Sequence, residues 1–123
     1  MTARLFIPQW RPPLVNEWRG KHWSVAHKLR RATTDLLALY ALTQGVPKAT
    51  GRRRVSVEIL LAPRMRRPDR DAFDKLFLDA MVAAGLLLDD GDRGLAGRVE
   101  VTFRRVPAAE WGTIITVEDL DGS

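Results

Sequence analysis

The sequence contains no cysteine, only two histidines and no apolar run long enough to span a membrane. The absence of cysteine excludes disulfide bonds, thiolate metal sites and thiol catalysis. The apolar run in the first eight residues is too short for a signal peptide, so we expect a soluble protein of the cytoplasm. His22 and His27 both lie far along the chain from the acidic segment described below, and a histidine base is therefore not expected.

Basic residues are in excess in a chain of ordinary hydrophobicity. The 123 residues carry a formal net charge of +5, and 46% of them are hydrophobic, with a pI of about 10.4. This length and hydrophobic content fit one folded domain spanning 1–123, without internal repeats or low-complexity segments. The charge favours a polyanionic partner, most commonly nucleic acid, but the basic composition of an arginine-rich proteome accounts for it about as well.

The first 45 residues show signals for a strand, a loop and a helix. A short strand over 5–7 ends at Pro8, and a polar and aromatic loop over 10–22 follows it. Ser24 is a good N-cap for a helix whose apolar residues recur at helical spacing. We expect that helix to end near Gln44-Gly45.

The remainder of the chain predicts one more helix and three more strands. Alternation of apolar and polar residues predicts a strand over 55–61, and helical spacing predicts a helix from about Asp71 to Ala84. The segments 99–103 and 114–117 resemble strands that lie close enough in sequence to form an antiparallel pair. The order β-α-β-α-β-β fits a two-layer α+β domain with two helices and a mixed or antiparallel sheet.

Acidic and basic residues alternate around the predicted start of the second helix. Asp69 and Asp71 stand two residues apart there, between arginines. Helix capping and the helix dipole account for one of these acids more easily than for both. Carboxylates can also hold divalent cations while arginines hold phosphates, and a site with both usually handles a polyanion at a metal centre. For the pair of acids, helix capping and cation binding are about equally good explanations.

A lysine continues this pattern along the predicted helix. Lys75 lies four residues after Asp71, and Asp79 lies four residues after Lys75, so all three share one stripe of the helix. Exposed ion pairs would explain that stripe. A lysine beside metal-bound carboxylates would explain it too, since it could orient the attacking water or offset charge on a phosphate.

A second acidic run, Asp89-Asp90-Gly91-Asp92, follows the predicted helix and is typical of a turn. The predicted helix is about 21 Å long. Asp90 therefore reaches Asp69 only if the chain doubles back along the helix or if a partner subunit supplies the residue. Both routes are open from the sequence.

Arginines surround the acids, and a second basic group lies in the loop over 10–22. The basic residues of this region are interleaved with Trp18 and Trp23, and aromatic with basic side chains suit partly unstacked nucleic acid. Trp10 and Trp23 are expected to pack against the sheet, and the run 52–54 offers weaker basic candidates. The candidate DNA-binding residues are Arg11, Asn16, Arg19, Lys21, Arg64, Arg66, Arg67 and Arg70.

The spacing of these residues resembles the RusA family of Holliday junction resolvases, which are metal-dependent endonucleases of bacteria and their phages. The resemblance extends over nearly the whole chain, because the Trp10-Arg11-Pro12-Pro13 segment and Asn16 also match the family pattern in type. Its central motif comprises Arg67-Pro68-Asp69-Arg70-Asp71, Lys75, Asp79-Ala80-Met81, Ala84-Gly85 and Asp89-Asp90.

The resemblance implies a RusA-like fold and a site assembled around three acids. By position, Asp69, Asp71 and Asp90 match the family's ligands for Mg²⁺ or Mn²⁺, and Lys75 matches its catalytic lysine. The family acts as a homodimer on four-way DNA junctions and makes paired nicks in recombination and repair. The resemblance thus implies a nucleoid-associated enzyme in the cytoplasm of a bacterial or phage-infected cell.

The chain departs from the family pattern at Ala72, where the family usually has asparagine. The departure favours an alternative function, a RusA-like protein that binds branched DNA without cutting it. A nuclease for flaps or RNA and a small metal-binding module without nucleic acid are further alternatives.

Overall fold

A computed structural model describes residues 1–73 and 75–120, with the side chain of Asp71 left outside the description. Asp74 and residues 121–123 lie outside it altogether. The strand and helix order confirms the predicted β-α-β-α-β-β arrangement, with short 3-10 turns between some elements. The elements are β1 (Thr2–Pro8), α1 (Trp23–Thr43), β2 (Arg53–Leu61), α2 (Lys75–Ala83), β3 (Glu100–Arg105) and β4 (Gly112–Asp119).

The four strands form one mixed sheet in the order β1-β4-β2-β3. β4 runs antiparallel to both β1 and β2, whereas β3 runs parallel to β2. The predicted antiparallel pairing of the last two strands is therefore wrong. β4 contains buried Ile115 and Val117 and fits the centre of the sheet, whereas β3 has no buried residue and suits a charged edge. The parallel pairing also follows from the crossover through α2.

Both helices contribute to the same hydrophobic core as the sheet, which confirms the α+β class and is compatible with the predicted two-layer arrangement. Alternate residues of the strands, such as Leu5, Val57 and Ile115, join Leu37 of α1 and Met81 of α2 in a single hydrophobic core. Each fully buried large apolar side chain contributes about 1.5–3 kcal/mol to stability. Within the described residues, no helix is both long and apolar enough to cross a membrane.

Helix α1 begins two residues earlier than the Ser24 cap predicts. His22 is the N-cap, and its Nδ1 accepts a hydrogen bond from the backbone N–H of Ser24 at 3.2 Å. An imidazole nitrogen thus caps the helix in place of the expected serine hydroxyl. At the other end the prediction is confirmed, because Gln44 is the C-cap and Gly45 has a left-handed φ of 71°.

Helix α2 begins four residues later than predicted. Residues Arg70–Ala72 form a 3-10 turn, and Phe73 is extended, with φ −101° and ψ 122°. The extended backbone lets the Phe73 ring pack on Phe103 of β3, with 6.5 Å between ring centroids. Tertiary packing therefore overrides the helical pattern here. Asp71 does not share a helix stripe with Lys75 and Asp79, although the latter two remain one turn apart on α2.

Candidate nucleic-acid and metal site

Asp69 lies at the end of the loop that connects β2 to α2, with its side chain exposed to solvent. It occupies the N-cap position of the 3-10 turn Arg70–Ala72, yet its carboxylate makes no capping hydrogen bond. The ordinary structural explanation for an acid at this position is thus not realised. The Asp71 side chain, which belongs to the same predicted acid pair, lies outside the described residues.

Lys75, Asp79 and Asp90 line one surface groove together with Arg30 of α1. We call this the acidic groove, and its volume is about 340 Å³. Lys75 and Asp79 come from the first two turns of α2, and Asp90 comes from the segment that follows that helix. Asp90 thus returns to α2 within the single chain, but the groove brings it to Lys75 and Asp79 and not to Asp69, which lines a different cavity.

The chain doubles back because α2 ends in a tight turn. Gly85 has a φ of 83°, which glycine adopts without a steric penalty. The backbone N–H of Leu86 donates to the carbonyl of Met81 at 2.9 Å, and both Leu86 and Leu87 are buried in the core. Burial of these two leucines starts the return of the chain along the helix.

A buried arginine fixes the return segment, defined as residues 86–96, to the sheet. Arg53 is only 1% exposed, and its Nε lies 2.7 Å from Oδ1 of Asp119. Its two terminal nitrogens donate to the carbonyls of Leu86 (3.1 Å) and Pro47 (2.9 Å). Its backbone N–H donates to the carbonyl of Gly94 at 2.9 Å. Arg53, one of the weaker basic candidates in the run 52–54, is therefore buried and cannot contact DNA in this fold.

The two neighbouring acids of the return segment have different surroundings. Oδ2 of Asp89 accepts a hydrogen bond from the backbone N–H of Gly91 at 3.2 Å, as in an Asx turn. Asp90 instead is exposed and lines the acidic groove. The turn is tight, since a Cβ atom on Gly94 would lie 2.3 Å from backbone atoms of Asp89. Turn formation thus accounts for Asp89 and leaves Asp90 for the groove.

A larger cavity of about 830 Å³ brings the basic residues of two loops to Asp69. We call it the arginine cavity. Of the eight candidate DNA-binding residues, five line it, and Arg70 lines a neighbouring cavity with Lys75 and Asp90. Arg64 and Lys21 are exposed but line neither cavity. The five in the arginine cavity are Arg11, Asn16, Arg19, Arg66 and Arg67.

Glu17, which the sequence did not single out, orients one of these arginines. Its Oε1 lies 2.6 Å from Nη1 of Arg11 and accepts a hydrogen bond from the backbone N–H of Leu14 at 3.1 Å. Burial alone would raise the pKa of Glu17, but these hydrogen bonds and the charges of Arg11 and Lys21 hold it below its usual value. The loop lacks periodicity, so no sequence signal marks this pair.

Strand β3 supports the β2–α2 loop from the other side. Nη1 of Arg105 donates to the carbonyl of Ala62 at 2.8 Å and also contacts the carbonyl of Met65. The guanidinium of Arg67 lies over the Phe103 ring, 4.8 Å from its centroid. These contacts hold the backbone of the loop while Arg66 remains exposed at the arginine cavity. Arg105 was also missed, because an arginine at a strand end carries no distinctive signal.

The tryptophans divide between core and surface. Trp10 packs against the hydrophobic core as expected. The same expectation is wrong for Trp23, which is 72% exposed and contacts only neighbouring histidine rings among the described aromatic pairs. Trp18 lines a depression beside Lys75 and Asp79, with its Nε1 buried and without a hydrogen-bond acceptor among the described residues. Helix α1 begins at Trp23, and its outward position there leaves the indole in solvent.

The oxygen donors suit a hard divalent cation, but the described part of the chain holds no complete set. Asp69 and Asp90 are exposed carboxylates, the ligand type that Mg²⁺ and Mn²⁺ prefer. Among the described residues, no group of three or more acids, histidines or cysteines is close enough to hold a metal ion. The third predicted ligand is Asp71, whose side chain lies outside the description.

Comparison of the sequence with known proteins found no matching family model and no matching curated protein. The functional argument therefore rests on the residues and their arrangement.

Proposed function

We propose that this chain is a RusA-like, metal-dependent endodeoxyribonuclease that resolves Holliday junctions by paired nicks in DNA recombination and repair. The observation that carries the proposal is the acidic groove, where Lys75 and Asp90 meet although they are 15 residues apart in sequence. The arginine cavity contains Asp69, and the next residue in sequence, Arg70, lines a cavity with Lys75 and Asp90. This part of the chain thus offers both acids for a cation and arginines for phosphates, the two kinds of group that hydrolysis of a phosphodiester requires.

Each group has a distinct task in this proposal. Mg²⁺ or Mn²⁺ held by Asp69, Asp71 and Asp90 would supply charge neutralisation at the phosphate and an activated water. The ammonium group of Lys75 stabilises negative charge that develops on the phosphate oxygens. Arg66 and Arg67 hold the flanking phosphates, and their positive charge offsets the repulsion between DNA and the carboxylates.

A homodimer completes the proposal. A four-way junction has two strands to cut at positions related by two-fold symmetry, and a two-fold symmetric dimer presents one site to each of them. Because Asp90 returns to α2 within one chain, each subunit carries its own groove. Paired nicks then require two complete sites held at a fixed distance.

Cleavage of a labelled four-way junction tests the function directly. The junction and a linear duplex of the same sequence are incubated with the protein in Mg²⁺, in Mn²⁺ and with chelator. We expect paired nicks near the crossover of the junction alone, and only with a metal present. Cutting of the duplex at an equal rate, or cutting in chelator, would contradict the proposal.

One observation favours a second function, binding of branched DNA without cleavage. Ala72 lines the arginine cavity beside Asp69, at the position where the resemblance leads one to expect an asparagine. A missing amide there would leave Asp69 less well oriented. Tight junction binding without nicks in either metal, together with cleavage by Ala72→Asn, would establish this alternative.

A further inference from the structure

We infer that the cavity beside the acidic groove is a binding pocket for one unstacked nucleobase of the strand at the site. This inference rests on the proposed function. The cavity has a volume of about 600 Å³ and shares Lys75 and Asp90 with the groove. A strand whose phosphate lies at those two residues therefore passes the mouth of the cavity.

The lining of this cavity is apolar inside and charged at the mouth. Its buried lining residues include Val57, Phe77 and Leu95, whereas Arg70 and Asp90 are exposed. Ligand pockets of this size are typically lined by apolar side chains with a few polar groups at defined positions. A nucleobase matches that distribution, because its faces are apolar, its edge forms hydrogen bonds and its phosphate is anionic.

A supported aromatic ring forms one wall of the cavity. Phe73 lines it, and the Phe73 ring also packs on Phe103, which is in turn covered by the guanidinium of Arg67. This stack of three side chains fixes the Phe73 ring before a ligand arrives. Stacking on a fixed aromatic ring tolerates any base and offsets the cost of removing that base from the duplex.

The late start of α2 gives the cavity its aromatic wall. A helix from Asp71, as the sequence predicts, would give Phe73 helical backbone angles instead of the extended ones that accompany its packing on β3. The chain thus departs from its local helical pattern beside the predicted catalytic residues, which is where functional sites commonly break local rules.

The test uses four-way junctions that carry 2-aminopurine at each nucleotide flanking the crossover in turn. They are bound by the Asp69→Asn variant, so that the DNA stays intact. We expect the fluorescence to rise at one flanking position, because the base there leaves the stack. Adding Val101→Trp should abolish the rise, since Val101 lines the cavity and an indole fills it.

Thr102→Trp is the matched control, since Thr102 is the next residue of β3 and its side chain points to the opposite face. That variant should keep the rise. If Val101→Trp does not fold, Phe73→Leu removes the stacking ring while keeping an apolar side chain, and the same loss is expected. If the folded cavity variant shows the same fluorescence rise as the protein without that substitution, the inference is overturned.

The outcomes separate the two proposals. Junction binding and cleavage by the wild-type protein, without a fluorescence rise at any position, overturns the nucleobase pocket alone. If the wild-type protein neither binds nor cuts the junction, the proposed function fails, and the inference that rests on it fails too.

Discussion

The two segments that carry the predicted acids are attached to the sheet in different ways. The return segment with Asp90 is tied to the interior by Arg53, whose guanidinium is buried against Asp119 and two carbonyls. The β2–α2 loop with Asp69 is held by exposed contacts of Arg105 and Arg67. A buried charge that loses its partner costs several kcal/mol, whereas an exposed pair contributes about 1 kcal/mol or less. The position of Asp90 is thus coupled to global stability, and that of Asp69 is not.

Neighbouring arginines of β2 give the sharpest test of this difference. Arg53→Met should destabilise the protein by about 3–5 kcal/mol, because it removes the buried guanidinium that pairs with the partly buried Asp119 and with the carbonyls of Leu86 and Pro47. Arg54→Met removes the ion pair with Glu118, which is exposed, and should cost less than about 1 kcal/mol. Urea unfolding of both variants measures the two values. Equal losses of unfolding free energy in the two variants would show that burial of Arg53 does not increase its contribution to stability.

A smaller effect is expected from the turn of the return segment. Gly94→Ala should destabilise the protein by about 1–3 kcal/mol, because the added Cβ meets the Asp89 backbone. Gly91→Ala is the control, since a Cβ there meets only the Asp89 side chain, at 3.0 Å, and a side chain can move aside. Thermal unfolding distinguishes the two. Indistinguishable melting temperatures would contradict the tight turn.

The arginine cavity should affect DNA binding without affecting stability. Arg66→Gln should weaken junction binding by roughly 1 kcal/mol and lower the slope of log affinity against log salt by about 1, since one phosphate contact is lost. Arg104→Gln on β3 is the control, because Arg104 pairs with Glu58 and lines neither of the two cavities. Binding isotherms at several salt concentrations report both quantities. If Arg66→Gln and the wild type show the same slope of log affinity against log salt, Arg66 does not contact a phosphate of the DNA.

The smallest effect concerns Glu17 and pH. Its pKa is held below its usual value in the folded state, so the unfolded chain binds the proton more tightly. The stabilisation is therefore present above the unfolded pKa of about 4.3 and is lost as the pH falls through the lower, folded pKa. Glu17 is partly exposed, so the effect should be less than about 1 kcal/mol. Unfolding at pH 6 and pH 3 should show less pH dependence for Glu17→Gln than for wild type.

The sequence predicts the element order because each element has its own periodicity and clear ends. Gly45 and Gly85 end the two helices, and the alternation of Val55, Val57 and Ile59 marks β2. These signals depend on near neighbours in the chain. The two-layer arrangement follows from them, since each element has one apolar face to bury.

What the sequence did not predict depends on contacts between distant residues. Whether Arg53 is exposed is decided by Asp119, which lies 66 residues away. The start of α2 depends on packing of Phe73 against Phe103 of a later strand. The place of β4 in the sheet depends on which strand has more apolar surface to bury, which local spacing does not show. For the site, spacing suggested Asp69, Lys75 and Asp90, but the way in which Asp90 returns to α2 required the fold.

The most direct test of the central claim is the single-turnover cleavage rate of a four-way junction by variants of the two segments. Asp69→Asn and Asp90→Asn should each lower the rate by at least about 10²-fold, with unchanged junction binding and melting temperature. Asp92→Asn is the control, because Asp92 is exposed in the same turn as Asp90 and lines neither the groove nor the cavities. It should cut at the wild-type rate. Cleavage by Asp90→Asn at the wild-type rate would contradict a site that both segments share.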